Sequence, residues 1–226
     1  KFLDGKEAVS AEKAAEIAES KFGGEFEYAG ESTLGIKTYL FVSGERSVQI
    51  TQTGGIVAQY TDASLSAGGE TKKTDEILAS ATEFLRSLGY DSMKAVWISE
   101  QSDTVYLNFA YTTDDVVYYP DLVKVKVARD TAAVTGMEAM NYIYNHTDRG
   151  ELVFGETDGF VLPEGFERKS LVKCLIPTDW NTERAAYEIS GEYDGGTYYV
   201  YFDAATGEEI KIMRVIKDGN EGNLIV

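Results

Sequence analysis

The sequence predicts an α+β fold of three tandem units, each an antiparallel sheet with one helix, with the third helix reduced or missing. One observation is the alternation of apolar and polar residues in runs such as Val123-Lys124-Val125-Lys126-Val127, the period of a strand with one buried face. The second is a strand–turn–strand unit that occurs three times. Its turn threonines, Thr53, Thr131 and Thr206, are 78 and then 75 residues apart. This period exceeds the roughly 20–50 residues of solenoid repeats and therefore indicates tandem small domains.

The predicted tandem units span residues 1–62, 74–150 and 151–226, and a polar, glycine-containing linker occupies residues 63–73. We expect strands near 25–28, 37–42, 47–52 and 56–60, near 93–99, 104–111, 122–128 and 134–144, and near 170–176, 184–190, 196–203 and 209–216. Pro120 should mark the edge of the strand that follows it, because proline cannot donate a ladder hydrogen bond.

Two helices are predicted from caps and apolar stripes. Ser10 is a favourable N-cap, an apolar face follows it at Ala14, Ile17, Ala18 and Phe22, and glycines 23 and 24 end the helix. Thr74 is the expected cap of the second helix, which Gly89 ends. Its stripe comprises Ile77, Ala81, Phe84, Leu85 and Leu88.

The third tandem unit lacks a helix signal where the repeat would place one. Residues 149–163 contain internal glycines and no stripe with the period of 3.6, so we expect the helix to be missing or reduced to a turn. The middle hairpin also departs from the others, because Ala132 stands where Gly54 and Gly207 supply positive φ. Its turn must use another geometry or carry strain.

Composition excludes several classes of function. The net charge of −17 opposes binding to nucleic acid and to anionic lipid surfaces. The single cysteine, Cys174, lies in an apolar run typical of a buried strand, so no internal disulfide is possible. No signal peptide or long apolar span is present, and since the chain begins at Lys1 we expect any anchor or signal to lie upstream.

The residues indicate no catalytic, metal-binding or cofactor-binding site. His146 is the only histidine, and with Asp148 and Glu151 it would give only a weak mixed metal site, so a structural role at a strand end is favoured. A pair with Cys174 would require the two to meet in space. The acidic pairs at 114–115 and 208–209 are interpreted as solvated connections rather than acid–base catalysts.

Two segments resemble the PepSY domain. They are the helix opening at residues 9–14 (VSAEKA) and the terminal hairpin at residues 201–208 (YFDAATGE). The segment 119–128 (YPDLVKVKVA), then 136–139 (GMEA), Tyr142, His146 and Arg149, closely resembles the YpeB family of spore germination proteins. So do 175–178 (LIPT), then Glu183, Tyr187-Glu188 and the terminal hairpin. The resemblance covers essentially the whole chain, as the C-terminal triple-PepSY region of that family.

The resemblance implies a non-enzymatic role outside the inner spore membrane, anchored by an upstream segment. It implies a SleB-type cortex-lytic peptidoglycan hydrolase as partner, which the protein would stabilise, localise or inhibit until germination. A germination protease would then release the hydrolase. Alternatives are a protease-inhibitor or propeptide-like module and a binder of peptidoglycan fragments. An enzyme acting on peptidoglycan has no support in the sequence.

The candidate partner-binding residues are those that carry the most specific family match: Tyr118, Tyr119, Pro120, Asp121, His146 and Arg149. Exposed sheet edges and tyrosine-rich faces could accept a partner by strand addition or aromatic anchoring. The alternative for this corner is that Asp121 and Arg149 simply pair with each other inside the middle tandem unit.

Overall fold

The computed structural model describes residues 1–64, 69–179, 182–218 and 222–225. It divides the chain into two compact units. The first comprises Lys1–Ala110 and Asp121–Thr147, and the second comprises Tyr111–Pro120 and Asp148–Val226. Within the described ranges, no helix has both the length and the apolar character needed to cross a membrane. The boundaries 1–62, 63–73, 74–150 and 151–226 stay predictions.

The first compact unit is built mainly from the elements up to residue 147, and strands β6 and β7 also extend into the second unit. The elements are α1 (Ala11–Phe22), β1 (Glu27–Ser32), β2 (Thr38–Ser43), β3 (Arg46–Thr51), β4 (Val57–Asp62), α2 (Thr74–Ser87), β5 (Met93–Gln101), β6 (Thr104–Thr113), β7 (Val116–Ala128), β8 (Val134–Glu138) and α3 (Met140–Asn145). The fold is therefore α+β, as the sequence predicts, with a large sheet and few helices.

The sheet of this unit follows the order β1-β2-β3-β4-β8-β7, with β6 beside β7 and β5 beside β6. The antiparallel pairing of β4 with β8 aligns Gln59 with Glu138, Tyr60 with Met137 and Thr61 with Gly136. Because β4 belongs to the first predicted tandem unit and β8 to the second, the hairpins of these two units form one sheet.

Helix α1 forms where its cap and stripe predict it. The Ser10 hydroxyl accepts a hydrogen bond from the Lys13 backbone N–H at 3.2 Å. At the other end Gly23, with φ of 67°, donates its N–H to the Glu19 carbonyl at 2.8 Å. Ala14 and Ala18 are fully buried against the sheet, which confirms the predicted apolar face.

Helix α2 begins at Thr74, but its N-cap is Lys73, so the predicted Thr74 cap is wrong by one residue. Lys73 has the extended backbone of a cap, and its N–H donates to the Glu76 carboxylate at 3.2 Å. This bond from the third helical position fixes the helix start without a capping hydroxyl. The buried residues Ile77, Ala81 and Leu85 confirm the predicted stripe.

The two helices share an aromatic core with strand β4. Phe22 of α1 stacks on Tyr60 with ring centroids 4.2 Å apart and planes 2° apart, and both rings contact Phe84 of α2. The Lys21 ammonium also donates to the Ser87 carbonyl at the end of α2, at 2.6 Å. These contacts bind the first two helices to the sheet formed by the first two hairpins.

The prediction of one strand over residues 134–144 is wrong, because the chain turns into α3 after β8. Tyr142 and Ile143 are consecutive and both buried. In a strand with one solvent-exposed face, consecutive side chains would alternate between buried and exposed. The Glu138 carboxylate accepts the Met140 N–H at 2.8 Å, which supports the first turn of the helix.

Strand β7 begins at Val116 rather than near residue 122, so Pro120 lies inside the strand and not at its edge. The strand's first part, from Val116 to Tyr118, pairs in parallel with residues 173–175 of strand β9 (Glu167–Pro177). Pro120 follows this pairing and is not among its matched residues, so the missing proline N–H interrupts none of the pairs in this register.

The second compact unit carries β9 (Glu167–Pro177), β10 (Glu183–Tyr193), β11 (Gly196–Asp203), β12 (Glu209–Asp218) and β13 (Gly222–Ile225). These five strands pair antiparallel in chain order. Residues 149–166, all of them described, contain no helix, which confirms the predicted loss of the third helix. An irregular segment takes its place on the sheet.

Aromatic side chains of this segment cover the sheet face that a helix would otherwise bury. Phe160 stacks on Phe202 with ring centroids 4.5 Å apart, and the partly buried Leu162 and Phe166 pack on the same core. The Gly155 N–H donates to the Ala204 carbonyl at 2.8 Å. Three large apolar residues and backbone bonds thus replace the helix as the cover of this face.

The described part of the predicted linker lies against the middle hairpin. The Gly69 N–H donates to the Asp130 carboxylate at 3.0 Å, and the Lys72 N–H donates to the Arg129 carbonyl at 2.9 Å. Residues 65–68 of this linker lie outside the described residues.

The three hairpins close in the same way. A backbone N–H donates to the carbonyl five residues later at 2.8 Å, from Thr51 to Ile56, from Ala128 to Ala133 and from Asp203 to Glu208. Gly55 is therefore the equivalent of Ala132 and Gly207, with φ of 62°, 59° and 72°, and the predicted equivalence of Gly54 is wrong by one residue. Ala132 keeps the glycine-like conformation, so its turn carries strain of roughly 1–2 kcal/mol.

We expect Ala132→Gly to raise the free energy of unfolding by about 0.5–1 kcal/mol, because glycine adopts positive φ without steric cost. Chemical denaturation monitored by circular dichroism measures the change. The matched control is the neighbouring Ala133→Gly, whose φ is not positive and which should lower stability by about 0.4–1 kcal/mol. Equal effects at both positions would contradict the assignment of strain to Ala132.

Candidate functional site

The six candidate partner-binding residues fall into two groups. Asp121 and His146 belong to the first compact unit, whereas Tyr118, Tyr119, Pro120 and Arg149 belong to the second. Strand β7 carries four of them in succession, and the other two follow α3.

Asp121 and His146 form a hydrogen-bonded pair. The His146 Nδ1 and the Asp121 Oδ2 are 2.7 Å apart, the aspartate is fully buried, and the imidazole side chain is 21% exposed. His146 follows α3 directly, so its ring lies one turn beyond Tyr142. The two rings stack with their centroids 4.5 Å apart. Phe2 contacts the imidazole edge-on at 5.7 Å. The pair satisfies a buried carboxylate and fixes the end of α3 against β7.

Arg149 forms a two-pronged ion pair with Glu183 in the second unit. Its Nε and Nη2 atoms donate to the two carboxylate oxygens at 2.7 and 2.9 Å. The guanidinium lies 5.6 Å from the Tyr118 ring centroid, and the arginine side chain is 8% exposed. This arrangement anchors the start of the irregular segment to β10 and to the first part of β7.

Tyr119 donates its hydroxyl proton to the buried carboxylate of Glu188, which belongs to the family resemblance but not to the six candidate partner-binding residues. The Tyr119 Oη and the Glu188 Oε2 are 2.6 Å apart, and Glu188 of β10 is buried. Tyr201 stands opposite Glu188 on β11, and its ring contacts the Tyr119 ring. Burial first, and then the Glu188 charge, raise the pKa of both tyrosines far above the usual value.

The burial of Glu188 has no local signal in the sequence, because residues 186–189 of β10 are all buried and do not alternate between a buried and an exposed face. Burial, followed by the Glu188 charge, also raises the pKa of the nearby Cys174 thiol. Cys174 is buried, as its apolar run predicted, and its Sγ donates to the Ala186 carbonyl at 3.4 Å. A protonated thiol of this kind is a poor nucleophile.

Tyr119, Asp121, His146 and Arg149 each have a hydrogen-bonding partner inside their own unit. Their contacts support local structure. The His146 side chain is 21% exposed, whereas the side chains of Asp121 and Arg149 are 0% and 8% exposed. A partner-binding role for these six residues stays a prediction, and so does a pairing of Asp121 with Arg149. Among the residues that the structure describes, no cluster of three His, Cys, Asp or Glu side chains could hold a metal ion.

A sheet edge offers a more exposed surface than this corner. Strand β1 ends the sheet order and pairs with β2. Tyr28 on β1 is 55% exposed, and Leu34 in the loop after it is 88% exposed. The Tyr28 ring rests edge-on against Phe41 at 6.0 Å. The exposed Glu27 and Glu31 give this edge a negative charge. The sequence gives no signal for the edge, since sheet order depends on distant pairings.

We expect Tyr119→Phe to lower the free energy of unfolding by about 1–3 kcal/mol, because the buried Glu188 carboxylate loses a donor. The matched control is Tyr198→Phe. Tyr198 lies on the face of β11 opposite to Tyr201, and its substitution should change stability by less than about 0.5 kcal/mol. Denaturant titration at neutral pH measures both.

The parent chain and the Tyr119→Phe variant also test the raised pKa of Tyr119. The folded state retains the phenol proton above the pKa of about 10 of an unfolded-chain tyrosine. This stabilisation is complete below about pH 10 and is lost as pH rises, so the difference between the parent chain and Tyr119→Phe should shrink in alkali. No difference at neutral pH would contradict the Tyr119–Glu188 bond.

Comparison with known proteins identifies the family. Residues 1–151 match the sequence model described as "YpeB sporulation, PepSY1 and PepSY2 domains". Residues 167–213 match the model described as "Peptidase propeptide and YPEB domain". Neither description names a catalytic activity. The first match covers both of the hairpins that the β4–β8 pairing connects in the structure.

Curated relatives and a solved structure agree with these matches. "Sporulation protein YpeB" of Halalkalibacterium halodurans is 35% identical over 140 residues, covering 60% of this chain and 31% of the relative. The same-named protein of Oceanobacillus iheyensis is 28% identical over 148 residues, covering 63% and 32%. The chain thus spans about a third of their length.

The structure named "Bacillus megaterium YpeB C-terminal domain" has the same fold, with a TM-score of 0.80 at 20% identity, and covers 93% of this chain and 100% of that one. The family model covers more than half of the 226 residues. The chain therefore belongs to the YpeB family of sporulation proteins.

Proposed function

We propose that this chain is a non-enzymatic interaction module of spore germination. It holds a SleB-type cortex-lytic peptidoglycan hydrolase stable, in place or inhibited until germination, at the outer face of the inner spore membrane. Membership of a sporulation family carries the proposal. A germination protease that removes the module would release the hydrolase.

The β1 edge supplies a physical means of binding a protein. An edge strand presents backbone N–H and C=O groups that can pair with an added strand. The exposed Tyr28 and Leu34 stand beside these groups and can anchor the partner's side chains. The negative Glu27 and Glu31 favour a basic segment, since opposite charges speed association. The proposed contact is an extended, basic stretch of the hydrolase added to β1.

The test is binding of purified SleB-type hydrolase to the immobilised chain, with hydrolase activity on cortex peptidoglycan measured as chain concentration increases. We expect saturable binding that weakens with salt and falls about tenfold or more in Tyr28→Ala/Leu34→Ala. The control is Val153→Ala/Val161→Ala, which removes two comparably exposed side chains from the second unit.

The activity readout separates the possible roles of the module. Falling activity on saturation indicates inhibition, whereas unchanged activity with a slower thermal inactivation of the hydrolase indicates stabilisation. If the parent chain does not bind the hydrolase, the proposal is overturned. Equal loss of hydrolase binding in both double variants would overturn only the assignment of the binding surface to β1.

A second candidate function is a protease-inhibitor or propeptide-like module. The match of residues 167–213 to a model described as a peptidase propeptide domain favours it. This candidate requires inhibition of a metalloprotease by the purified chain in a direct assay, which the hydrolase-holding function does not require.

A further inference from the structure

The outward face of strand β7 carries the two lysines that the alternating sequence placed opposite the core. Val123, Val125 and Val127 are fully or almost fully buried, and Lys124 and Lys126 point to the other side of the sheet, where both are exposed. In a chain of net charge −17, two ammonium groups on one strand face form a local positive site.

A row of polar side chains leads across the sheet to Lys124. The Thr38 hydroxyl donates to the Gln49 Oε1 at 3.1 Å, and the Gln49 amide donates to the Gln59 Oε1 at 3.0 Å. Gln59 stands opposite Glu138, whose carboxylate lies 4.0 Å from the Lys124 Nζ. The row crosses β2, β3, β4, β8 and β7, which is about 19 Å at the usual strand spacing.

A second row runs beside the first and ends at an aromatic ring. Ser47, Thr61, Gly136 and Lys126 stand opposite one another on β3, β4, β8 and β7. The Lys126 ammonium lies 5.7 Å from the centroid of the Tyr106 ring on β6. Gly136 contributes no side chain to this row, and a Cβ there would be in van der Waals contact with the Lys126 side chain at 3.4 Å.

The two rows present more donors than the protein itself uses. Among the described residues, the Gln59 amide nitrogen has no acceptor, and each lysine ammonium carries three N–H donors. The Lys124 contact with Glu138 is long, and Glu138 is also engaged by the Met140 N–H. The face therefore complements a ligand with carboxylates and carbonyl acceptors spaced along its length.

We propose that this face binds an extended polysaccharide that bears carboxylate and acetamido groups, the chemistry of peptidoglycan glycan strands. Lys124 and Lys126 bind carboxylates, Gln59 donates to an acetamido carbonyl, and Tyr106 contacts a sugar ring. An acidic peptide is less well matched, because an extended peptide pairs with the edge of a sheet and this site is a face. The choice of cortex peptidoglycan as the ligand rests on the proposed function in the spore.

The test is co-sedimentation of the purified chain with protein-free cortex peptidoglycan. We expect saturable pelleting of the parent chain, and binding about tenfold weaker for Lys124→Ala/Lys126→Ala. The control Lys13→Ala/Lys169→Ala removes the same charge from lysines that are likewise exposed on α1 and β9 and should bind like the parent. Thermal melts check that all three proteins are folded.

Two further arms identify the ligand chemistry. Peptidoglycan whose carboxylates are converted to amides should lose most of the binding, and soluble polyglutamate should not displace the chain. If the parent chain does not pellet, if both double variants pellet equally, or if polyglutamate displaces it fully, the proposal is overturned. The Lys124→Ala/Lys126→Ala chain should still bind the hydrolase, so a failure of glycan binding alone leaves the proposed function standing.

Discussion

The antiparallel pairing of β4 with β8 is the interaction on which the first compact unit depends. Two hairpins that follow one another along the chain become one sheet through only three aligned residue pairs. We call this β4–β8 pairing the seam. Two contacts of β4 reinforce it: Tyr60 stacks on Phe22, and the Tyr90 hydroxyl donates to the Val57 carbonyl at 2.7 Å. The seam therefore combines backbone pairing with a buried aromatic core.

The seam also determines where interaction surfaces can form. The polar row from Thr38 to Lys124 exists because β4 and β8 are neighbours, whereas β1 is left at the end of the same sheet. The family-specific residues serve a different purpose. Asp121 pairs with His146 and Arg149 pairs with Glu183, and these contacts hold the ends of elements in place.

Local signals in the sequence were sufficient for part of this structure. The cap at Ser10 and the stripe behind it specify α1, and the missing stripe after Arg149 specifies the loss of the third helix. Long-range contacts decided the rest. The burial of Tyr142 and Ile143 converts a predicted strand end into α3. The family resemblance includes the candidate corner as well as Glu183 and Glu188, but no local pattern predicts that these two carboxylates of β10 pair with Arg149 and Tyr119.

We expect the first two hairpins to fold as one cooperative unit, in which the pairing of β4 with β8 brings the polar rows of the sheet face together. Native-state amide hydrogen exchange of the whole chain tests it most directly. The Ala139 N–H, which donates to the Ala58 carbonyl at 2.9 Å, reports on the seam. We predict that this amide and the protected amides of β3 and β7 converge on one opening free energy as denaturant is added. Opening of β3 at a lower free energy, while β7 stays protected, would contradict the claim.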